Sequence, residues 1–221
     1  MASLSSAILG PRVPADELAR HRVRYALPTL ALTIARVLLL ISIFLPYWRM
    51  TLEAPQYPND LHVAAYVNRL VGDVQEIDGL NHYIGMRPLN EAAQLERSLS
   101  VYMIVALVLL VEGAGYLHTR WAALLTAPVI LFPPFFLLDL YYWLSTFGQN
   151  LDPNAPLSNA IDPFTPPVLG VGEIGQFRTV AEPGPGLILA SIASVVTIIA
   201  LVLHRRAYKP LFDRMRAAGT A

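Results

Sequence analysis

The chain has 221 residues, 55% of them hydrophobic and only 14% charged, against about 25% charged in soluble globular domains, so lipid is the expected solvent for much of it. Its 16 basic and 16 acidic residues cancel, which leaves no excess of positive charge to attract a polyanion and excludes a nucleic-acid role. Cysteine is absent, which excludes disulfides, thiolate nucleophiles and cysteine-bound zinc or iron–sulfur centres, so any soft metal site must be built from Met and His.

Residues 1–26 are polar and charged and lack the apolar stretch and cleavage site of a secretory signal. They are expected to form a cytoplasmic segment, with the first apolar helix acting as an uncleaved signal anchor. A bilayer core of about 30 Å asks for roughly 20 apolar residues per helix. Four segments meet that requirement: 27–46, 99–118, 121–143 and 185–204. Between them lie an outer connection at 47–98, an inner turn at 119–120 and a second outer connection at 144–184, and a basic tail follows at 205–221. Arg20, Arg22 and Arg24 precede the first span, Arg120 lies in the inner turn, and Arg205, Arg206 and Lys209 follow the fourth. Alternating spans put all of these on one side, and the positive-inside rule makes that side the cytoplasm. Most acidic residues fall in the two outer connections. The predicted fold class is therefore an all-α membrane protein: a four-helix transmembrane bundle in the bacterial cytoplasmic (inner) membrane, N-in and C-in. A small mixed extracytoplasmic cap is formed by the two long loops. Tyr47, Trp48, Trp121, Tyr141, Tyr142 and Trp143 fall at span ends and read as interface anchors.

The first outer connection is long enough to fold as a cap. Leu61, Val63, Ala65 and Val67 alternate with His62, Ala64, Tyr66 and Asn68, the period of a half-buried strand, and Arg69 to Asp73 can turn it into a hairpin. Glu76 to Pro88 is dense in polar and binding side chains, and Asn90 predicts an N-cap for a helix running through Glu91 and Arg97 into the second span. The second outer connection holds Pro153, Pro156, Pro163, Pro166, Pro167 and Pro183, which predicts a stiff extended cover without regular helix or central strand. Its Phe164, Val168, Leu169, Ile174 and Phe177 favour packing on the first connection over disorder.

Arg36 and Glu112 lie inside spans one and two at similar depth, where charge is costly. They read either as a proton or ion relay or as an ion pair that fixes helix register. Asp139, about one turn from the outer end of span three, is an expected interfacial partner for Arg49 or Arg97. Pro128, Pro133 and Pro134 must kink span three and free backbone carbonyls. Gly186, Ala190 and Ser194 in span four, and Gly113 and Gly115 in span two, offer small faces for close helix contact. Met50, His62, His82 and Met86 are candidate ligands for copper, because thioethers and imidazoles suit Cu(I). His82 and Met86, four residues apart, share a face if their stretch is helical, whereas Gly85 and Pro88 favour a turn. The competing reading has Asn81 and His82 hydrogen-bonding the cap together while Met86 plugs its core. Nucleophile constellations, phosphate-binding glycine loops and internal repeats are absent, which disfavours catalysis and alternating-access transport.

Leu45-Pro46-Tyr47-Trp48, the run from Gly72 to Met86, and Pro163-Phe164-Thr165-Pro166-Pro167 followed by Phe177 and Pro183 resemble a family of uncharacterised four-helix bacterial membrane proteins. That family is associated with copper handling and with maturation of nitrous-oxide reductase or other respiratory copper enzymes. The resemblance implies an accessory role outside the membrane, with His82 and Met86 as the residues to carry over. The expected function is thus a non-catalytic accessory protein in copper handling or assembly of a respiratory metalloenzyme, with the bilayer and other membrane or periplasmic proteins as partners. The alternative is a structural subunit of a larger respiratory or photosynthetic complex.

Overall fold

A computed structural model describes residues 9–10, 13–157 and 159–217. Parts of the predicted N-terminal segment (1–8 and 11–12), of the basic tail (218–221) and position 158 of the second connection lie outside the described residues. The short helix α1 (Ala15–Arg20) leads into α2 (Arg22–Ser42), and the other long helices are α4 (Gln94–Gly115), α5 (Trp121–Gln149) and α6 (Pro185–Ala217). Between α2 and α4 lie strands β1 (Trp48–Glu53), β2 (Leu61–Ala65) and β3 (Leu70–Gly72) and helix α3 (Val74–Ile84); between α5 and α6 lie β4 (Gly170–Ile174) and β5 (Phe177–Pro183). The protein is mostly helical but contains a five-stranded antiparallel sheet, so the all-α expectation is corrected.

Among the described residues, four helices are long and apolar enough to cross a membrane: Arg22–Ser42, Gln94–Gly115, Trp121–Gln149 and Pro185–Arg214. Their apolar windows are only 22% to 39% buried within the chain. Leu30, Leu109, Leu124, Leu131, Leu138 and Val195 are left outward, a surface that water would penalise and lipid would not. Two compact units result, each with its own core. A helical unit comprises residues through Leu40, Ile104–Pro133 and residues from Leu189 on; a sheet unit comprises Ile41–Met103 and Pro134–Ile188.

In the helical unit, Ala190, Ala193, Thr197, Ala200, His204, Ala207 and Leu211 of α6 are buried. Their alternating spacing of three and four places them on one stripe, and the small size of its alanines and Thr197 lets neighbouring backbones approach. α5 runs helically through Pro128, Pro133 and Pro134. Pro133 has no N–H, so the Val129 carbonyl loses its normal partner four residues on. Ser194 Oγ supplies one, donating to Val129 O at 2.9 Å.

The sheet order is β3-β2-β1-β5-β4. β1 pairs with β2 on one side (Trp48 opposite Ala65, Leu52 opposite Leu61) and with β5 on the other (Trp48 opposite Pro183, Glu53 opposite Arg178). The second connection therefore contributes an inner strand, which the proline content was expected to forbid. Its prolines stop at Pro167 and resume at Pro183, and the intervening stretch closes on Gly175 at φ +61°, as a two-residue hairpin loop requires. The β2–β3 hairpin turns at Tyr66 to Arg69, where Tyr66 N–H donates to Arg69 O at 2.8 Å, earlier than the expected Arg69 to Asp73. β1 turns Trp48, Met50 and Leu52 to the core and Arg49, Thr51 and Glu53 to the polar face. Tyr47 and Trp48 are buried in protein and are corrected from interface anchors. Trp48 Nε1 donates to Val168 O at 2.6 Å, and the Tyr47 and Ser42 hydroxyls bond at 2.7 Å. Burial pushes the Tyr47 phenol up to about 12.

The predicted N-cap at Asn90 is replaced by a 3-10 turn at Leu89–Glu91 and a break at Ala93 (φ +50°) before α4. α3 ends at Gly85, which is left-handed at φ +80°. An added Cβ there would lie 2.7 Å from Asp152 O. Gly85→Ala is therefore expected to destabilise the sheet unit by about 1 to 3 kcal/mol. Gly79→Ala, at an open position on the same helix, should stabilise it by about 0.5 to 1 kcal/mol. Thermal unfolding of both variants in detergent checks the contrast.

Candidate functional site

Arg36 and Glu112 form the expected ion pair in the helical unit, with side chains 20% and 42% exposed. Each has a second polar contact close in sequence. Arg36 Nη2 donates to Thr33 Oγ1 at 2.6 Å, and Tyr116 Oη donates to Glu112 Oε1 at 3.0 Å. The pair is thus surrounded by short-range structural contacts. Asp139 is half-buried in the sheet unit. Among the described residues no ion pair joins it to Arg49 or Arg97; its polar neighbours are Trp143 and Glu96. Arg97 instead folds back onto the Asn90 backbone carbonyl and side-chain oxygen.

The sheet unit contains a partly open apolar cavity of about 130 Å³. One wall is the core face of the sheet (Trp48, Met50, Val63, Thr179), another is α3 (Ile77, Leu80, Asn81, Ile84), and a third is α5 (Leu140, Trp143, Leu144, Phe147). Among the described residues, no Asp, Glu, Lys, Arg or His side chain lines it. Met86 reaches it because the helix stops at Gly85. Met86 N–H donates to Asn81 O at 2.9 Å, Asp152 N–H to Gly85 O at 2.8 Å, and Leu89 N–H to Asp78 Oδ1 at 2.7 Å, so the turn after α3 is fixed and points Met86 into the core.

The four candidate copper ligands divide. Met50 and Met86 line the cavity, while His62 and His82 are exposed and are not part of its lining. His62 Nδ1 lies 3.1 Å from Thr51 Oγ1 on the polar face of the sheet, and the His82 ring rests against Tyr83. His82 and Met86 share no helix face, since α3 ends between them. Among the described residues no group of three or more His, Cys, Asp or Glu converges on one point.

Two features escaped the sequence reading. Val74, Ile77, Asn81 and Ile84 are the buried stripe of α3, so Asn81 occupies a position whose spacing calls for an apolar residue. It is 8% exposed, and its Nδ2 has no hydrogen-bond partner among the described residues. The bonding role expected for it in the cap is therefore not filled by that nitrogen. A polar residue on an apolar helical stripe was a signal available in the sequence. The second feature lies in the helical unit, where the His118 and His204 rings sit 5.4 Å apart and both pack on Tyr208, at 3.9 and 4.6 Å. His118 Nδ1 donates to Leu9 O at 3.1 Å. Burial holds the His118 imidazole below its ordinary range, with backbone hydrogen bonds opposing that shift. Residues this distant in sequence carry no spacing signal.

No family model matches the chain, and neither a curated protein nor a solved structure is significantly similar to it.

Breaking an ion pair in a costly environment leaves one charge uncompensated, whereas removing both partners does not. Glu112→Gln is expected to cost about 1 to 3 kcal/mol, and Arg36→Met with Glu112→Leu to recover at least half of it. Unfolding titrations in mixed detergent micelles measure both. A double variant no more stable than the single one contradicts the structural role.

Proposed function

We propose that the chain is a non-catalytic multi-pass protein of the bacterial cytoplasmic membrane, with both termini inside and the sheet unit on the extracytoplasmic side. There it acts as an accessory to other membrane or periplasmic proteins by binding through the sheet unit. The observation that carries this reading is that both long connections are given over to one five-stranded sheet, where short linkers would suffice to join four spans. The orientation rests on Arg20, Arg22, Arg24, Arg120, Arg205, Arg206 and Lys209 flanking the helices on one side. The charged pairs Arg36–Glu112, Arg178–Glu53 and Arg214–Glu17 each join separate parts of a fold, which suits architecture better than turnover.

A second reading, copper handling during assembly of a respiratory metalloenzyme, is favoured by one observation. Met50 and Met86 line a common cavity, and thioether sulfur suits Cu(I). The exposed His62 and His82 do not add to that donor set. The structural-subunit alternative, in a respiratory or photosynthetic complex, uses the same sheet as a permanent contact surface.

Because the chain has no cysteine, single thiols report its orientation without background. In intact cells a membrane-impermeant maleimide is expected to label Asn59→Cys and Asn154→Cys, and to label Ala217→Cys only after lysis. The reverse pattern overturns the orientation. In the same preparations, Cu(I) titrated against a chelator should find no stoichiometric site sensitive to Met50→Leu with Met86→Leu; finding one puts the copper reading first.

A further inference from the structure

Positive charge is gathered in the segments that flank the long helices of the helical unit. Ten of the 16 Lys and Arg residues, but three of the 16 Asp and Glu, lie in 1–26, 116–120 and 205–221. Among the described residues one ion pair forms there, Arg214–Glu17, so most of that charge is left without a carboxylate.

Its most ordered part lies where the start of α2 packs on the end of α6, with Tyr25, Ala207 and Leu211 buried together. Pro210 lies inside α6 and has no N–H, so the Arg206 carbonyl loses its normal partner four residues on. Arg24 Nη2 donates to that carbonyl at 2.6 Å. The bond holds one corner of the guanidinium in place and leaves its other donors free. On α6, Arg205, Arg206 and Lys209 are exposed, and spacings of three and four put Lys209 on one face with both arginines. Earlier on that face stand Val195, Ile198, Ile199 and Val202, also exposed. Arg205 is twenty residues on from Pro185, about 30 Å along the helix axis, which matches the roughly 30 Å hydrocarbon core of a bilayer. The cations therefore begin at headgroup depth, and the aliphatic column lies at the depth of the chains. Asp213, the carboxylate on this face, is a turn beyond Lys209 and farther from the column.

Both halves of this surface fit one molecule. A soluble phosphate would use the cations and leave the aliphatic column bare, while a zwitterionic lipid would bring its own ammonium into a positive patch. Arginine donors suit phosphate oxygens. We propose that the junction of α2 and α6 holds an anionic diacyl phospholipid, its phosphate bound by Arg24, Arg206 and Lys209 and its chains laid along the aliphatic face of α6. The inference takes α2 and α6 as membrane-crossing but does not depend on which side of the bilayer their basic ends face, nor on what the sheet unit binds. Thiol labelling and lipid binding can therefore fail separately.

The full chain in dodecyl maltoside micelles is titrated with dioleoyl phosphatidylglycerol or dioleoyl phosphatidylcholine, and bound lipid is counted by native mass spectrometry. The first phosphatidylglycerol is expected to bind about five- to thirtyfold more tightly than phosphatidylcholine. Arg206→Gln with Lys209→Gln should erase that preference. Arg20→Gln with Arg22→Gln removes the same charge away from the junction and should weaken it less than about twofold at 0.15 M salt, where exposed charges are screened. All four side chains are exposed, so both variants should melt with the wild type. Millimolar glycerol 3-phosphate, which has the headgroup phosphate without chains, should not displace the lipid. Equal binding of the two lipids, a preference that survives Arg206→Gln with Lys209→Gln, equal loss in both variants, or displacement by glycerol 3-phosphate overturns the proposal.

Discussion

The backbone pairing of β1 is the constraint on which the rest of the sheet unit depends. Six residues from the first connection, Trp48–Glu53, hydrogen-bond on one side to β2 of their own connection and on the other to β5 of the second. Buried N–H and C=O groups must find partners, and here each connection supplies the other's. The register then settles which side chains meet. Trp48, Met50 and Leu52 line one cavity with α3 and the C-terminal turns of α5, while Arg49 and Glu53 lie opposite Glu182 and Arg178 on the polar face. A slip of one residue would exchange those faces. Close passage at Gly184 and Gly186, whose N–H groups donate to Tyr47 O and Pro46 O at 2.9 and 2.8 Å, ties the strand entry to the start of α6.

The same accounting governs the helical unit. Proline inside α5 removes donors, and Ser194 of α6 returns a hydrogen bond to one of the carbonyls so exposed. The stripe of alanine and threonine on α6 lets the backbones come close enough for that contact, which a leucine stripe would prevent. Polar groups in both units thus serve packing almost throughout. Among the described residues the exceptions are the buried side-chain nitrogens Asn81 Nδ2, Arg97 Nε, Trp143 Nε1 and His204 Nε2, which have no hydrogen-bond partner.

The spans were legible because lipid imposes length and composition directly on the sequence. The Arg36–Glu112 pair was legible in part, since opposite charges at similar depth in an apolar environment gain by pairing, although depth alone does not say which helix faces meet. β1 was legible in principle: Trp48, Met50 and Leu52 alternate with Arg49, Thr51 and Glu53, but the aromatic pair at its start resembles a headgroup anchor. β5 was obscured by averaging proline over the whole connection when the strand itself is free of it until Pro183. The break at Ala93 and the helix stop at Gly85 depend on positive φ values, and the stop decides that Met86 turns inward while His82 stays outside. The His118, His204 and Tyr208 cluster required the folded helices, because no local pattern links its members.

Hydrogen exchange of the full chain in a lipid nanodisc, read by mass spectrometry, tests the joint sheet most directly. The account predicts that amides of Trp48–Glu53 exchange more slowly than any others between the long helices, and that protection of Trp48–Glu53 and Phe177–Pro183 is lost together as denaturant is added. Exchange of both segments within seconds, with the helices still protected, would contradict it.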